Sequence, residues 1–283
     1  MDYFDLHSDT PFECYRKNER FYVNHLSVSG IKGEIFTKWT QTFAVWIRDD
    51  LGNPFKFYKN ILEGFKQRLQ EKPANLTPIL SVEGGAVLED DIQRLYTLKA
   101  DGIKMLTLTW NGDNKIAGGI KGENTLTDFG KRVIEKMNEL KILADLSHLN
   151  EKSFFEAVTR AKYSLCSHSN CKAVENNPRN LSDDQIKAVC EKGGVIGLCF
   201  YPQFLGQNVF EGIYKNIIHL LELGYGDNIA VGSDFDGGEM SEKLDCIGKI
   251  PSLFHYLEKK GLERGLLDKI FYENAYNFIA KIP

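Results

Sequence analysis

The chain opens Tyr3-Phe4-Asp5-Leu6-His7-Ser8-Asp9-Thr10-Pro11, and the reading of this stretch decides between two α/β architectures. Residues 3–7 have the composition of a short strand. A doubly wound open sheet would want a Gly-rich, phosphate-holding turn after its first strand. Here the turn reads His-Ser-Asp-Thr-Pro, and no G-x-G-x-x-G follows it. What the turn offers instead is a ligand pair. Residues two apart on a strand share a face, so His7 and Asp9 point the same way. An imidazole nitrogen and a carboxylate oxygen together suit a borderline-hard divalent ion. Taken alone, a His-x-Asp triplet is a weak signal.

Working outward, short apolar runs alternate with helical patterns to the end of the chain. Further strands are expected at 41–47, 77–83, 105–110, 143–148, 163–168, 195–201 and 228–234. Most are near-continuous apolar runs, as in a parallel sheet buried on both faces. Helices are expected at about 55–71, 90–100, 127–141, 154–161, 213–223, 253–259 and 266–280. Another opens with the capping-box spacing Ser182-Asp183-Asp184-Gln185. A polar, irregular segment is expected between the first two strands, through about Lys38. No linker or low-complexity tract divides the chain. Eight strands interleaved with helices in 283 residues fit one (β/α)8 TIM barrel, a single catalytic domain spanning 1–283.

Composition narrows the partners. A formal net charge of −4 gives no electrostatic reason to expect nucleic acid or an anionic membrane. No apolar run approaches the roughly 20 residues that span a bilayer, and no signal peptide is expected from the opening residues. The six cysteines form no Cys-x-x-Cys pair, so neither a zinc ribbon nor a disulfide framework is expected. A reduced, cytoplasmic protein is the expectation.

In such a barrel the active site gathers at the C-terminal ends of the strands. Ionisable residues stand at several of those ends: His7 and Asp9 after the first strand, Glu83 after the third, His148 after the fifth, His168 after the sixth and Asp234 after the eighth. His25, His219 and His255 fall in a polar loop and on helices, and are read as structural. Three His and two carboxylates exceed the three protein ligands of a single open catalytic zinc. With one carboxylate bridging, two ions each gain three protein contacts. A pair roughly 3.5–4 Å apart can share a hydroxide near neutral pH, a hydrolytic nucleophile without Ser or Cys chemistry. Asp234 is then free to act as base and acid.

Five motifs in order resemble the membrane (renal) dipeptidases of the amidohydrolase superfamily and their soluble bacterial relatives. Asp5-Leu6-His7-Ser8-Asp9 is similar to that family's D-x-H-x-D, and Val82-Glu83-Gly84-Gly85 to its E-G-G. Asp145-Leu146-Ser147-His148 resembles D-L-S-H. Ser167-His168-Ser169 with Pro178-Arg179-Asn180-Leu181-Ser182-Asp183 resembles the S-H-S…R-N-[LV]-x-D block. Gly232-Ser233-Asp234-Phe235-Asp236-Gly237 resembles G-[SG]-D-F-D-G. The resemblance implies a binuclear zinc site: His7, Asp9 and bridging Glu83 on one ion, Glu83, His148 and His168 on the other. It implies that Asp234 handles the proton and that Arg179 binds a dipeptide's C-terminal carboxylate, which a guanidinium grips through two parallel hydrogen bonds.

One position departs from the family. Better-known members read L-T-L-T-H after the fourth strand, and that His helps hold the scissile carbonyl. Here the stretch is Leu106-Thr107-Leu108-Thr109-Trp110. An indole has a single N–H donor and no charge, and loss of one oxyanion donor typically lowers rate by about 10²- to 10³-fold. Asn111 is the candidate replacement donor, and Trp110 with Asn111 is assigned to substrate binding. The expected activity is hydrolysis of small dipeptides, with a D-residue accepted at the C-terminal position. The alternatives are a related amidohydrolase acting on another small amide, ester or N-acyl amino acid, and a metal-retaining binding protein without turnover. The expected partners are the small substrate and, in a homodimer, a second copy of the chain.

Overall fold

Eight parallel strands form the centre of the structure, a computed structural model that describes residues 1–282. They are β1 (Tyr3–Asp5), β2 (Trp39–Trp46), β3 (Leu76–Glu83), β4 (Ile103–Thr107), β5 (Leu143–Asp145), β6 (Ser164–Leu165), β7 (Ile196–Leu198) and β8 (Ile229–Val231). Their order around the sheet is β6-β5-β4-β3-β2-β1-β8-β7. A parallel bridge between Cys166 and Ile196 joins the two ends, so the sheet closes on itself. This is the expected (β/α)8 barrel.

Six of the strands are shorter than the apolar runs suggest, because those runs continue past the sheet into the rim, while β2 and β3 are each one residue longer than theirs. Inside the barrel, Phe4, Leu6, Met105, Leu143, Leu165, Val195 and Ala230 pack on one another, and Ala275 and Phe278 of the helix Asn274–Ala280 pack onto them. Residues from strands so far apart in order meet only through the barrel's centre. The larger apolar core lies between strands and helices. The capping box at Ser182 is present: its hydroxyl accepts from Gln185 N–H while the Gln185 side chain accepts from Ser182 N–H.

The first connection differs from expectation. The segment after β1 holds a helix, Thr10–Lys17, with Pro11 in its first turn and Cys14 buried. Pro at a helix start gives up an N–H that has no partner there anyway. Only Thr10, Pro11 and Cys14 are buried in this helix, too few for an apolar periodicity to stand out. The C-terminal helical stretch is also broken into Arg264–Asp268, a π-helical turn Lys269–Glu273 and Asn274–Ala280.

Candidate metal centre

The residues singled out at the rim do meet. Glu83 is the last residue of β3, and its carbonyl accepts from Ile47 N–H at 2.8 Å. His148, His168 and Asp234 each stand three residues past the last residue of their strands, Asp145, Leu165 and Val231. The chain bends after β1 but stays tied to both neighbours: Ser8 C=O accepts from Ala44 N–H at 2.8 Å, and Asp9 N–H donates to Phe235 C=O at 2.9 Å. That ladder keeps His7 and Asp9 on one side, with Nε2 and Oδ2 3.8 Å apart.

Two of these residues have left-handed backbones, His148 (φ 71°) and Asp234 (φ 64°), as does Asp236 (φ 68°). For an L-residue this conformation is unfavourable by roughly 1–2 kcal/mol. Here it turns the chain sharply off the strand and points the side chain into the rim. Gly237 shows how tight the turn is, since a Cβ there would collide with the carboxylates of Asp234 and Asp9.

Glu83 is the hub. Its Oε1 lies 2.7 Å from His148 Nε2 and 3.5 Å from His168 Nε2, while its Oε2 lies 3.5 Å from His7 Nε2. The two imidazole nitrogens of His148 and His168 face each other at 2.8 Å. Three overlapping ligand sets result: His7-Asp9-Glu83, Glu83-His148-His168 and His7-His168-Asp234. The third set places Asp234 as close to ligand geometry as to a purely catalytic post, with its Oδ1 4.0 Å from His7 Nε2.

The donor atoms fit metal ions. His7 Nε2 and Asp9 Oδ1 are buried without any hydrogen-bond partner, an unfavourable state unless something positive binds them. The other imidazole nitrogens are engaged from behind, His148 Nδ1 by Asn111 Oδ1 at 3.0 Å and His168 Nδ1 by Ser167 Oγ at 2.7 Å. Their Nε2 atoms are thereby turned to the common centre, as in metal sites generally.

Electrostatics point the same way. Burial opposes charge on every one of these groups. It lowers His148 to about 4, with Arg179 adding to the effect, and carries His168 well below its ordinary value with His7 as second cause. Burial, then Glu83, raises the Asp9 carboxyl well above the usual range. Burial would also raise Glu83, but the surrounding His7 and His148 hold it well below. Asp234 is pushed up to about 6, first by burial and, against the pull of His7, by Glu83. Such divergent shifts within one cluster mark a functional site.

Two buried carboxylates outside the ligand set brace the rim and were not singled out from the sequence. Asp145 Oδ1 accepts from the N–H groups of Ser147 and Ser167, and its Oδ2 from the hydroxyls of Ser167 and Thr107, both at 2.6 Å. Asp5 does the same for His7 N–H and Ser233. Each holds the residue just before a rim group, His168 or Asp234. The available signal was an Asp closing its strand in both Asp5-Leu6-His7 and Asp145-Leu146-Ser147-His148.

The substrate candidates lie around the cluster. Arg179 is buried; its Nη2 donates to His168 C=O at 3.3 Å, its guanidinium sits 5.5 Å from the Phe204 ring centre, and its Nε has no partner. Trp110 is half-buried and packs edge-on to Trp46 at 5.1 Å, and Trp46 packs edge-on to Phe12 at 5.0 Å. Trp46 pairs in register with Glu83, so this aromatic wall flanks the cluster on the β2 side, away from Arg179 beyond β6. His219 pairs with Asp183 on the surface, His25 and His255 are exposed, and none of the three belongs to a candidate ligand set.

A (β/α)8 barrel with buried His and carboxylate side chains converging at the C-terminal rim defines a metal-dependent hydrolase. The chain belongs to the membrane dipeptidase family, peptidase family M19, whose family model matches residues 60–282. That match begins after His7 and Asp9. An uncharacterized protein encoded in the pqqA 5′ region of Klebsiella pneumoniae is 30% identical over 215 residues, 70% of this chain and 79% of that protein. An uncharacterized dipeptidase of Schizosaccharomyces pombe is 33% identical over 182 residues, 60% of this chain, and the matched part is 44% of the yeast protein's length. Among solved structures, a metallopeptidase from Rhodobacter sphaeroides bound to a phosphinate mimic of the dipeptide L-Ala-D-Ala superposes with a TM-score of 0.92 at 20% identity, covering 100% of this chain and 99% of that one. Among the described residues, no helix is long and apolar enough to cross a membrane.

Proposed function

We propose that this chain hydrolyses the amide bond of small dipeptides with two zinc-class ions, one held by His7, Asp9 and Glu83 and the other by Glu83, His148 and His168. The single observation that carries the reading is the split of the Glu83 carboxylate, one oxygen facing His148 and His168 and the other facing His7. Ions bound there would polarise the scissile carbonyl and activate a water at neutral pH.

The chain's own residues supply the rest. Asp234 lies against the same cluster and takes the proton from the attacking water, then gives it to the leaving amine as the C–N bond breaks. Arg179, with its unpartnered Nε, receives the C-terminal carboxylate. A substrate anchored there on the β6 side runs across the cluster toward the β2 side, where Trp110, Trp46 and Phe12 meet its N-terminal residue. The Nδ2 group of Asn111, adjacent to Trp110, is the donor proposed to replace the missing family His. The L-Ala-D-Ala mimic in the R. sphaeroides protein supports acceptance of a D-residue at the C-terminal position. Six free cysteines, five of them buried, support a reducing compartment, and the cytoplasm is proposed. A dipeptide panel that includes D-residues at the C-terminal position, assayed with zinc-loaded and metal-stripped protein, tests this. Zinc-dependent release of both amino acids is expected, and no turnover of any dipeptide by fully loaded protein overturns it.

A further inference from the structure

We infer that Asn111 is a positioning residue for the ion held by His148, acting through its side-chain carbonyl on the back of that imidazole. The inference rests on the metal reading above. Asn111 Oδ1 lies 3.0 Å from His148 Nδ1. A carboxamide oxygen only accepts, so the neutral imidazole keeps its proton on Nδ1, and the Nε2 lone pair faces Glu83 and the cluster. With the opposite tautomer the ring would present an N–H to the ion and could not bind it.

The backbone that carries the carboxamide is itself held. Asn111 C=O accepts from Lys121 N–H at 2.7 Å, and the next residue, Gly112, donates its N–H to Asp49 Oδ2 at 2.7 Å. The carbonyls of Trp110, Asn111 and Gly112 all crowd Gly119, where no side chain would fit. The loop that carries Trp110 in place of the family's His is therefore a rigid mount for a ligand-orienting group.

The test compares Asn111→Leu, which loses the acceptor, with Asn111→Asp, which keeps an acceptor and is the usual partner of a metal-bound His. Stepwise zinc affinities of wild type and both variants are measured by competition with a chromophoric chelator, and cobalt spectra report which ion is perturbed. In Asn111→Leu, one of the two ions is expected to bind roughly 10- to 100-fold more weakly while the other is unchanged. Asn111→Asp is expected to bind both ions at least as tightly as wild type. Asn111→Ala repeats the Leu experiment without added bulk. Unchanged affinities in Leu and Ala variants, or an Asp variant as weak as they are, overturns the inference and leaves the metal reading intact. A wild type that binds no ion at the His148 position overturns both.

Discussion

Asp5 and Ser233, 228 residues apart in sequence, are joined by two hydrogen bonds: Asp5 Oδ1 accepts from Ser233 N–H at 2.8 Å and Oδ2 from its hydroxyl at 2.6 Å. The pair ties β1 to the residue just beyond β8 and sets the start of the Asp234 turn. Asp145 and Ser167 repeat the arrangement between β5 and the chain beyond β6, where His168 begins.

Removing either carboxylate leaves several buried donors unpaired, at roughly 1–3 kcal/mol for each. Asp5→Ala and Asp145→Ala are each expected to lower unfolding free energy by at least about 3 kcal/mol, a large part of a typical total of about 5–15. Ser233→Ala, which removes one hydroxyl, should lose only about 1–2 kcal/mol. Urea unfolding of the metal-free proteins measures this, and a near-neutral Asp5→Ala would contradict the bracing role.

Metal content separates the roles of the ligands. Elemental analysis of loaded protein should give about two ions per chain. His148→Ala is expected to remove mainly one, whereas Glu83→Ala should weaken both, because its two oxygens face different donor sets. A Glu83→Ala protein that retains two ions with wild-type affinity is incompatible with bridging. Stripping metal should also lower the thermal midpoint, since ions that bind only the folded state stabilise it.

For Asp234, Asn is the informative replacement because it keeps shape and removes the proton carrier. Asp234→Asn should lower kcat by at least about 10²-fold with zinc content nearly unchanged. The His7-His168-Asp234 grouping makes the opposite outcome concrete: loss of an ion from this variant would make Asp234 a ligand.

Substrate class turns on Arg179. Removing one partner of a desolvated charge-assisted pair typically costs about 2–5 kcal/mol. Arg179→Met should therefore lower kcat/KM for a dipeptide by on the order of 30- to 10³-fold and change little for the corresponding dipeptide amide. Wild-type protein should prefer the free acid by a similar factor. Equal wild-type rates on acid and amide would remove the carboxylate-reading role.

Trp110 provides the last comparison. If the Trp110–Trp46–Phe12 wall receives the N-terminal side chain, Trp110→Ala should lower kcat/KM for an N-terminal Leu or Phe dipeptide about tenfold more than for an N-terminal Gly dipeptide, from lost apolar contact of roughly 1.5 kcal/mol or more. Equal losses on the two substrates would place the wall elsewhere in the binding path.

The sequence by itself determined the barrel and the gathering of the rim. Eight apolar runs of strand length, all but the first followed by a helical pattern, ask for a parallel sheet buried on both faces; the missing Gly-rich turn after the first strand favours the closed barrel over an open sheet, and residues at the strand ends then converge whatever their separation. It did not determine the Thr10–Lys17 helix, whose buried side is too small to imprint a periodicity. Nor did it reveal Asp5 and Asp145 as braces, because their partners sit on neighbouring strands and a buried Asp looks like a surface one in a list of residues. Only the tertiary structure set where Asn111 aims its carbonyl and how the oxygens of Glu83 divide between His7 and His148. Those are matters of side-chain direction across elements, fixed by packing and hydrogen bonding among residues that local patterning cannot relate.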